Sequence, residues 1–533
     1  MLISFHRAEE RRTVVVPRSA RFGSFGGGLL LLPSGRLLYS YGRIDFERGV
    51  HQKVIISSGD RGRTWSEGRI VDEGEGTVKT LRGDSLTRLT DGRIAMIGNL
   101  LDERNRATGF EIRWSQDEGV SWSEPEGFPG KGTVPWTSGI IETGDGRLLI
   151  TTRAPEDMRP ARKVVMQNLS RDGGRTWEGP EVIAEDPVLK LTEPCTIRLG
   201  DGRLMALVRE NSYNFFPSYL ILSEDEGGSW SDPEETPIHG QEICLGQLQS
   251  GRMMAVYRHV GGYAATFAWA GDPDRNQGYE VSATVHARRM PDVVDGALRI
   301  ETSGTGESVL YHLHPPESRS SEIRVEAELR CLSNRKNGCG IHIAEAGWVT
   351  FYPDRVEHPA SGKSAPIDNT VFRRYVIVRD SEQIAVTADG EGLLSTGDLQ
   401  RGETVRVSFG RLHPAKVNAF GTRSPFMGTL GVECEGKSEW RSVKMTISNP
   451  NHPPHRYEWS AARGEAPNQY EEDHMIEIEN GYGGSIYFLG QASWVQFPDG
   501  EIFAVTGRQY LRPDGRRSSW LRGCYLREDD FGD

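Results

Sequence analysis

One short motif is written four times in this chain, and its spacing restricts the possible folds more than any other feature. The stretches SSGDRGRTW, SQDEGVSW, SRDGGRTW and SEDEGGSW repeat Ser, Asp, Gly and Trp at matching offsets. Their aspartates, Asp60, Asp117, Asp172 and Asp225, lie 57, 55 and 53 residues apart. A second motif runs alongside, a turn centred on Gly35, Gly92, Gly146, Gly202, Gly251 and Gly500, as in TDGRIAMIGNL and PDGEIFAVTGR. These glycines are separated by 57, 54, 56, 49 and then 249 residues. Self-similarity at a fixed period marks an array of like units. Four gaps near one unit length and one about 200 residues too long give six units, one of them carrying an insertion.

Within a unit, apolar runs flank the turn glycine, which reads as a β-hairpin, because Asp-Gly supplies the positive φ a tight hairpin needs. The Ser-Asp-Gly-Trp box follows a third strand (KVIISS, FEIRWS, VVMQNLS, YLILS) and leads into a fourth. Four strands in each of six units predict an all-β six-bladed β-propeller, which suppresses free sheet edges by closing a ring. Closure calls for a strand from the other end of the chain, and RTVVVP (12–17) is suited to complete the last blade beside SSWLRGCYLRE (518–528). In the box, Asp and Ser are expected to hold backbone N–H groups, Gly to take the left-handed position and Trp to plug the gap between strands. The box therefore folds the blades and does no chemistry.

The period disappears between about 280 and 450, and short alternating segments such as SVLYHLH, EIRVEAELRC, RRYVIVRD, TVRVSFGR, GTLGVE and SVKMTIS replace it. These predict an inserted β-sandwich. The run FMGTLGVECEGKSEWRSVKMTIS resembles the closing strands of concanavalin-like (laminin-G-like) jelly rolls, modules that in many cases bind carbohydrate. The expected division is 1–279 for the N-terminal strand and blades 1–5, 280–450 for the sandwich, and 451–533 for completion of blade 5 and for blade 6. Histidines alternate in YHLH and IHI, but no third ligand stands at metal spacing, so no metal is expected.

Composition narrows the partners. With 63 Gly and 12 Trp in 533 residues, the chain suits short strands and tight turns, and its formal charge of −12 argues against nucleic acid or an anionic membrane as the main partner. No apolar run reaches membrane-spanning length. The start MLISFHRAEERR lacks an apolar signal core, so a cytoplasmic location is expected. Six cysteines without CxxC spacing read as reduced and mostly buried, although Cys331 and Cys339 suit a pairing in an oxidising compartment. Phosphate-binding loops, HExxH and G-x-S-x-G are not found, and no cofactor is expected. The sequence leaves the oligomeric state open.

In such a ring, the start of strand 1 and the end of strand 2 of each blade meet at one mouth of the central channel. Arg43, Arg153, Arg209, Arg258 and Arg508 all fall seven or eight residues after their turn glycine, so five blades would aim a guanidinium there. Converging like charges repel unless an anion binds among them, and planar guanidinium suits bidentate capture of a carboxylate. The expected ligand is therefore an acidic small molecule. Asp45, Glu47, Asp84 and Glu193 lie at the same mouth. The aromatic loop NSYNFFP (211–217), with Trp136 and Trp494, offers an apolar wall.

The boxes, the six-unit period and the stretch TEPCTIRLGDGRLMALVREN (192–211) together resemble the sialidase (neuraminidase) superfamily over about two thirds of the chain. The resemblance implies a carbohydrate partner and removal of a terminal acidic sugar from a glycan. It implies Arg209 and Arg258, with Arg21 or Arg43, as the clamp on the sugar carboxylate, Asp45 as acid/base, and Glu193 as the group that activates a tyrosine or a water. Two places depart from the family pattern. The first-blade stretch that should carry a clamp arginine reads RFGSFGGG, and Gln491 stands about where the nucleophilic tyrosine belongs, with Tyr487 four residues earlier. A glycosidase or lyase on uronic-acid glycans, and a non-catalytic glycan-binding propeller, remain alternatives from the same residues.

Overall fold

The computed structural model describes residues 9–75, 85–101, 107–129, 139–154, 164–187, 189–211, 217–259, 265–272, 281–313, 322–343, 346–380, 383–397, 418–422, 433–449, 452–480, 491–511, 515 and 517–532. Nearly all regular structure among them is β-strand. The repeats build six antiparallel sheets. The first sheet contains Phe22–Phe25, Leu29–Leu31, Leu37–Asp45, Val50–Ser58 and Arg69–Glu75. The second runs Ser85–Arg88, Ile94–Leu101, Ala107–Ser115 and Glu126–Pro129, and the third Ile141–Glu142, Leu148–Arg153, Val165–Ser170 and Glu178–Ala184. The fourth contains Leu191–Arg198, Leu204–Glu210, Tyr219–Ser223 and Glu234–Glu235.

The fifth sheet is split in sequence. Its first three strands are Gly240–Gln247, Met253–His259 and Ala265–Gly271, and its fourth, Met475–Asn480, comes about 200 residues later. The sixth joins Ser493–Gln496, Ile502–Leu511 and Arg517–Leu526 to the N-terminal strand Arg12–Val16, with Arg12 opposite Cys524. The two ends of the chain thus share one sheet, as the apolar RTVVV run suggested.

Consecutive sheets share apolar cores. Leu38 and Met96 join the first sheet to the second, Phe110 and Leu148 the second to the third, and Leu149 and Leu204 the third to the fourth. Leu207 packs with Leu245 between the fourth and fifth, Val256 with Ala504 between the fifth and sixth, and Phe503 with Tyr39 between the sixth and first. The boxes lock the same joints. In each, the Ser hydroxyl accepts the Gly N–H and donates to Asp, while Asp accepts the N–H two residues beyond that Gly; for Ser170, Asp172, Gly174 and Thr176 these bonds are each 2.9 Å. Each box glycine has positive φ, from 81° to 95°. The box tryptophans fill the space between neighbouring sheets, not between strands of one sheet. Trp65 stacks on Phe503 of the sixth sheet, and Trp177 packs edge-on to Phe110 of the second. Turn arginines of one sheet reach the box of the next, as in Arg36 to Glu118 O (2.9 Å) and Arg93 to Gly173 O (3.1 Å).

Among the described residues the insertion forms two further sheets, one of seven strands and one of eight, around an apolar core from Val281 to Ala461. The strand His452–Ser460 still pairs with Glu433–Asn449, so this unit extends past the expected end near 450. Of the expected strands, TVRVSFGR and most of GTLGVE lie outside the described residues. All six cysteines carry free thiols, and all but Cys244 are buried.

Candidate functional site

One segment from the first strand region of each of the six sheets lines a single cavity of about 380 Å³, with Gly28, Thr87, Ile140, Cys195, Glu242 and Trp494 as one representative from each. The cavity wall is set by how these strands begin. In the fourth and fifth sheets the pairing register slips between Thr192 and Cys195 and between Gln241 and Cys244. At the slips, Glu193 (φ 48°) and Glu242 (φ 52°) take left-handed backbone, as does Gln491 (φ 49°) just before the first strand of the sixth sheet. All three stand nine residues ahead of a turn glycine, Gly202, Gly251 and Gly500. Left-handed backbone at a non-glycine residue costs on the order of 1–3 kcal/mol and persists only where surrounding structure imposes it.

Glu242 and Gln491 line this cavity, whereas Glu193, Arg209 and Arg258 lie outside its lining, and each of the two glutamates pairs with a buried arginine. Glu193 Oε2 lies 2.6 Å from Arg209, whose guanidinium also donates to Asn211 Oδ1 at 2.9 Å. Burial alone would raise the Glu193 pKa, but Arg209, helped by Arg153 and Arg258, outweighs it and holds the carboxyl below its ordinary value. Glu193 is therefore an ionised group, able to accept a proton or stabilise positive charge. Beside it, Glu242 Oε1 lies 3.3 Å from Arg258, which also donates to Gln241 Oε1 at 2.8 Å. The other oxygen of Glu242 accepts the Gln491 N–H at 3.0 Å, tying the fifth sheet to the sixth.

The remaining expected site residues are placed as follows. Arg21 grips Asp45 through both carboxylate oxygens, with a shortest contact of 2.6 Å, and the backbone N–H groups of Glu47 and Arg48 add two more bonds. This pairing, Arg21 first, holds the Asp45 pKa at about 2. Asp45 is thus a carboxylate in this arrangement and has no proton to give, and Arg21 is engaged by it. Arg43 donates to Gln52 at 2.7 Å and lies over the Phe22 ring. Arg508 pairs with Glu479 at 3.2 Å, a carboxylate shared with Arg522. Trp494 donates to Cys244 O at 3.2 Å and lines the cavity. Tyr487, Trp136, Asp84 and the aromatics of 212–216 lie outside the described residues. Among the described residues no group of three or more metal-ligating side chains is assembled.

Glu242 was not among the expected residues. The signal for it was present, because QEIC stands at the same distance from its turn glycine as TEPC does.

Residues 47–275 match the BNR repeat-like domain family. No curated protein matches the sequence. Among solved structures, a protein of unknown function from Dyadobacter fermentans is 15% identical over 58% of this chain and 95% of its own, with a TM-score of 0.43. Trypanosoma rangeli sialidase is 12% identical over 83% of this chain and 96% of its own, with a TM-score of 0.34. The exo-beta-1,3-galactanase of Phanerochaete chrysosporium is 9% identical over 81% and 100%, with a TM-score of 0.36.

Proposed function

We propose that the six sheets are the blades of a six-bladed β-propeller, that the two sheets between the third and fourth strands of the fifth blade are an inserted β-sandwich, and that the channel mouth is the active site of an exo-acting glycoside hydrolase for a terminal acidic sugar. The observation that carries this reading is Glu193, a buried ionised carboxylate whose pKa is lowered by three arginines, Arg209, Arg153 and Arg258. In glycoside hydrolysis such a carboxylate serves as nucleophile, as base for a water or tyrosine, or as stabiliser of the oxocarbenium ion. Arg209, Arg258 and Arg153 would hold the sugar's carboxylate by charge-assisted bonds.

Asp45 acts as proton donor only if substrate binding draws Arg21 away from it. That engagement also favours a second reading, a propeller that binds acidic glycans without cleaving them.

The test is release of fluorophore from 4-methylumbelliferyl sialoside and glucuronide by wild type and by Glu193→Gln. Turnover of one substrate that falls by at least about a hundredfold in Glu193→Gln supports the hydrolase. A wild type that binds these sugars and cleaves neither supports the binding module.

A further inference from the structure

Glu242 is a buried carboxylate that lines the cavity, and its placement is costly in two ways. Its backbone is left-handed, and its side chain, 1% exposed, is withdrawn from water. Those costs are offset by Arg258 and by the Gln491 N–H. Arg258, however, is already oriented by Gln241. What Glu242 adds to Arg258 is therefore charge more than direction.

We propose that Glu242 is a specificity-determining residue: by screening Arg258 it sets the mouth to accept a singly charged carboxylate and to reject doubly charged anions such as sulfate or a phosphate monoester. The physical basis is Coulomb's law. The repulsion between Glu242 and a bound anion scales with the anion's charge, so Glu242 penalises a dianion twice as much, in free energy, as a monoanion. Discrimination by a built-in unfavourable charge is a general route to specificity. This deepens the proposed function and rests on its assignment of Arg258 to the ligand's carboxylate.

The variant to make is Glu242→Gln. Glutamine keeps an oxygen for the Gln491 N–H, and Gln491 itself shows that glutamine occupies the corresponding left-handed position in the sixth sheet. Affinities are read from the rise in unfolding midpoint with sodium sulfate or sodium acetate at matched ionic strength, taken beyond the rise that Arg258→Met shows, because sulfate also stabilises folded proteins by exclusion from their surface. Glu242→Gln is expected to bind sulfate about tenfold more tightly than wild type and acetate about threefold more tightly, the square root of the first factor. Adding Arg258→Met should abolish both gains, and Glu242→Asp, which keeps the charge, should show neither. An equal gain for both anions, no gain, or a gain that survives loss of Arg258 overturns the proposal. No turnover is read, so failure to cleave any sugar would sink the hydrolase reading without deciding this experiment, and the reverse also holds.

Discussion

Glu193 and Arg209 meet at 2.6 Å with side chains 7% and 3% exposed, joining the start of the first strand of the fourth sheet to the end of its second. Neither charge is stable there alone. Removing one partner of a buried pair leaves the other uncompensated, which costs about 3–5 kcal/mol, whereas removing both charges costs far less. Arg209→Ala should therefore lower unfolding stability in urea by about 3–5 kcal/mol. Adding Glu193→Gln to that variant should restore part of the loss. If the double variant is no more stable than Arg209→Ala, the pair is not coupled in the way its geometry implies.

How much of this was legible beforehand divides along the range of the interactions. The six sheets were readable because the instructions are local: a glycine turn, a Ser-Asp-Gly-Trp box and apolar runs at fixed offsets. The inserted strands were readable from alternation, although their end was not, since His452–Ser460 carries the same alternation on into the chain. The polar surroundings of Glu193 and Glu242 were half readable. Glu193 and the strand-end arginines follow from the repeat, and so does Glu242 once the nine-residue offset is applied to every sheet. Which carboxylate engages which arginine does not follow. Arg21 closing on Asp45, and Arg508 and Arg522 sharing Glu479, depend on how strands from separate parts of the chain register.

The box should be sensitive at its small residues. Ser170 Oγ both accepts the Gly174 N–H and donates to Asp172, so Ser170→Ala strands a buried N–H and should cost about 1–3 kcal/mol. Gly174→Ala should be worse. Its φ is 95°, and a Cβ there would lie 2.6 Å from the Trp114 ring of the preceding sheet. Thermal unfolding of the two variants should rank wild type above Ser170→Ala and Ser170→Ala above Gly174→Ala.

The box aspartates contribute to the loss of stability in acid, as other paired carboxylates such as Asp45 do. Hydrogen bonds from the following Ser or Thr hold Asp60, Asp117 and Asp172 at about 2. Their folded pKa values lie below the unfolded value near 3.9. The folded state thus binds fewer protons there, and the stability these bonds supply is present above about pH 4 and drains as pH falls towards 2. Tryptophan fluorescence followed from pH 5 to pH 2 should report unfolding in that window. Asp117→Asn should unfold at lower temperature at pH 7 and lose less on acidification, and a parallel loss in both proteins would refute the assignment.

Glu471 should act in the opposite direction. It lies in the helix Gln469–His474 before the fourth strand of the fifth sheet, 2% exposed, and accepts the Ala283 N–H at 2.8 Å from the first strand of the insertion. Burial raises its pKa to about 8, against the lowering effect of the Ala283 and Asn468 hydrogen bonds and with added repulsion from Glu472 and Glu477. A carboxyl raised in the folded state keeps its proton where the unfolded chain, titrating near 4.3, has lost it. Its stabilising contribution is therefore complete below about pH 4 and falls away as pH climbs towards about 8. Glu471→Gln carries no proton to lose and retains an oxygen for the Ala283 N–H. Its unfolding temperature should match wild type near pH 4 and exceed it increasingly from pH 5 to pH 8. A constant difference across that range would mean that Glu471 does not titrate at this junction, and that the contact with Ala283 holds the insertion to the fifth sheet without regard to pH.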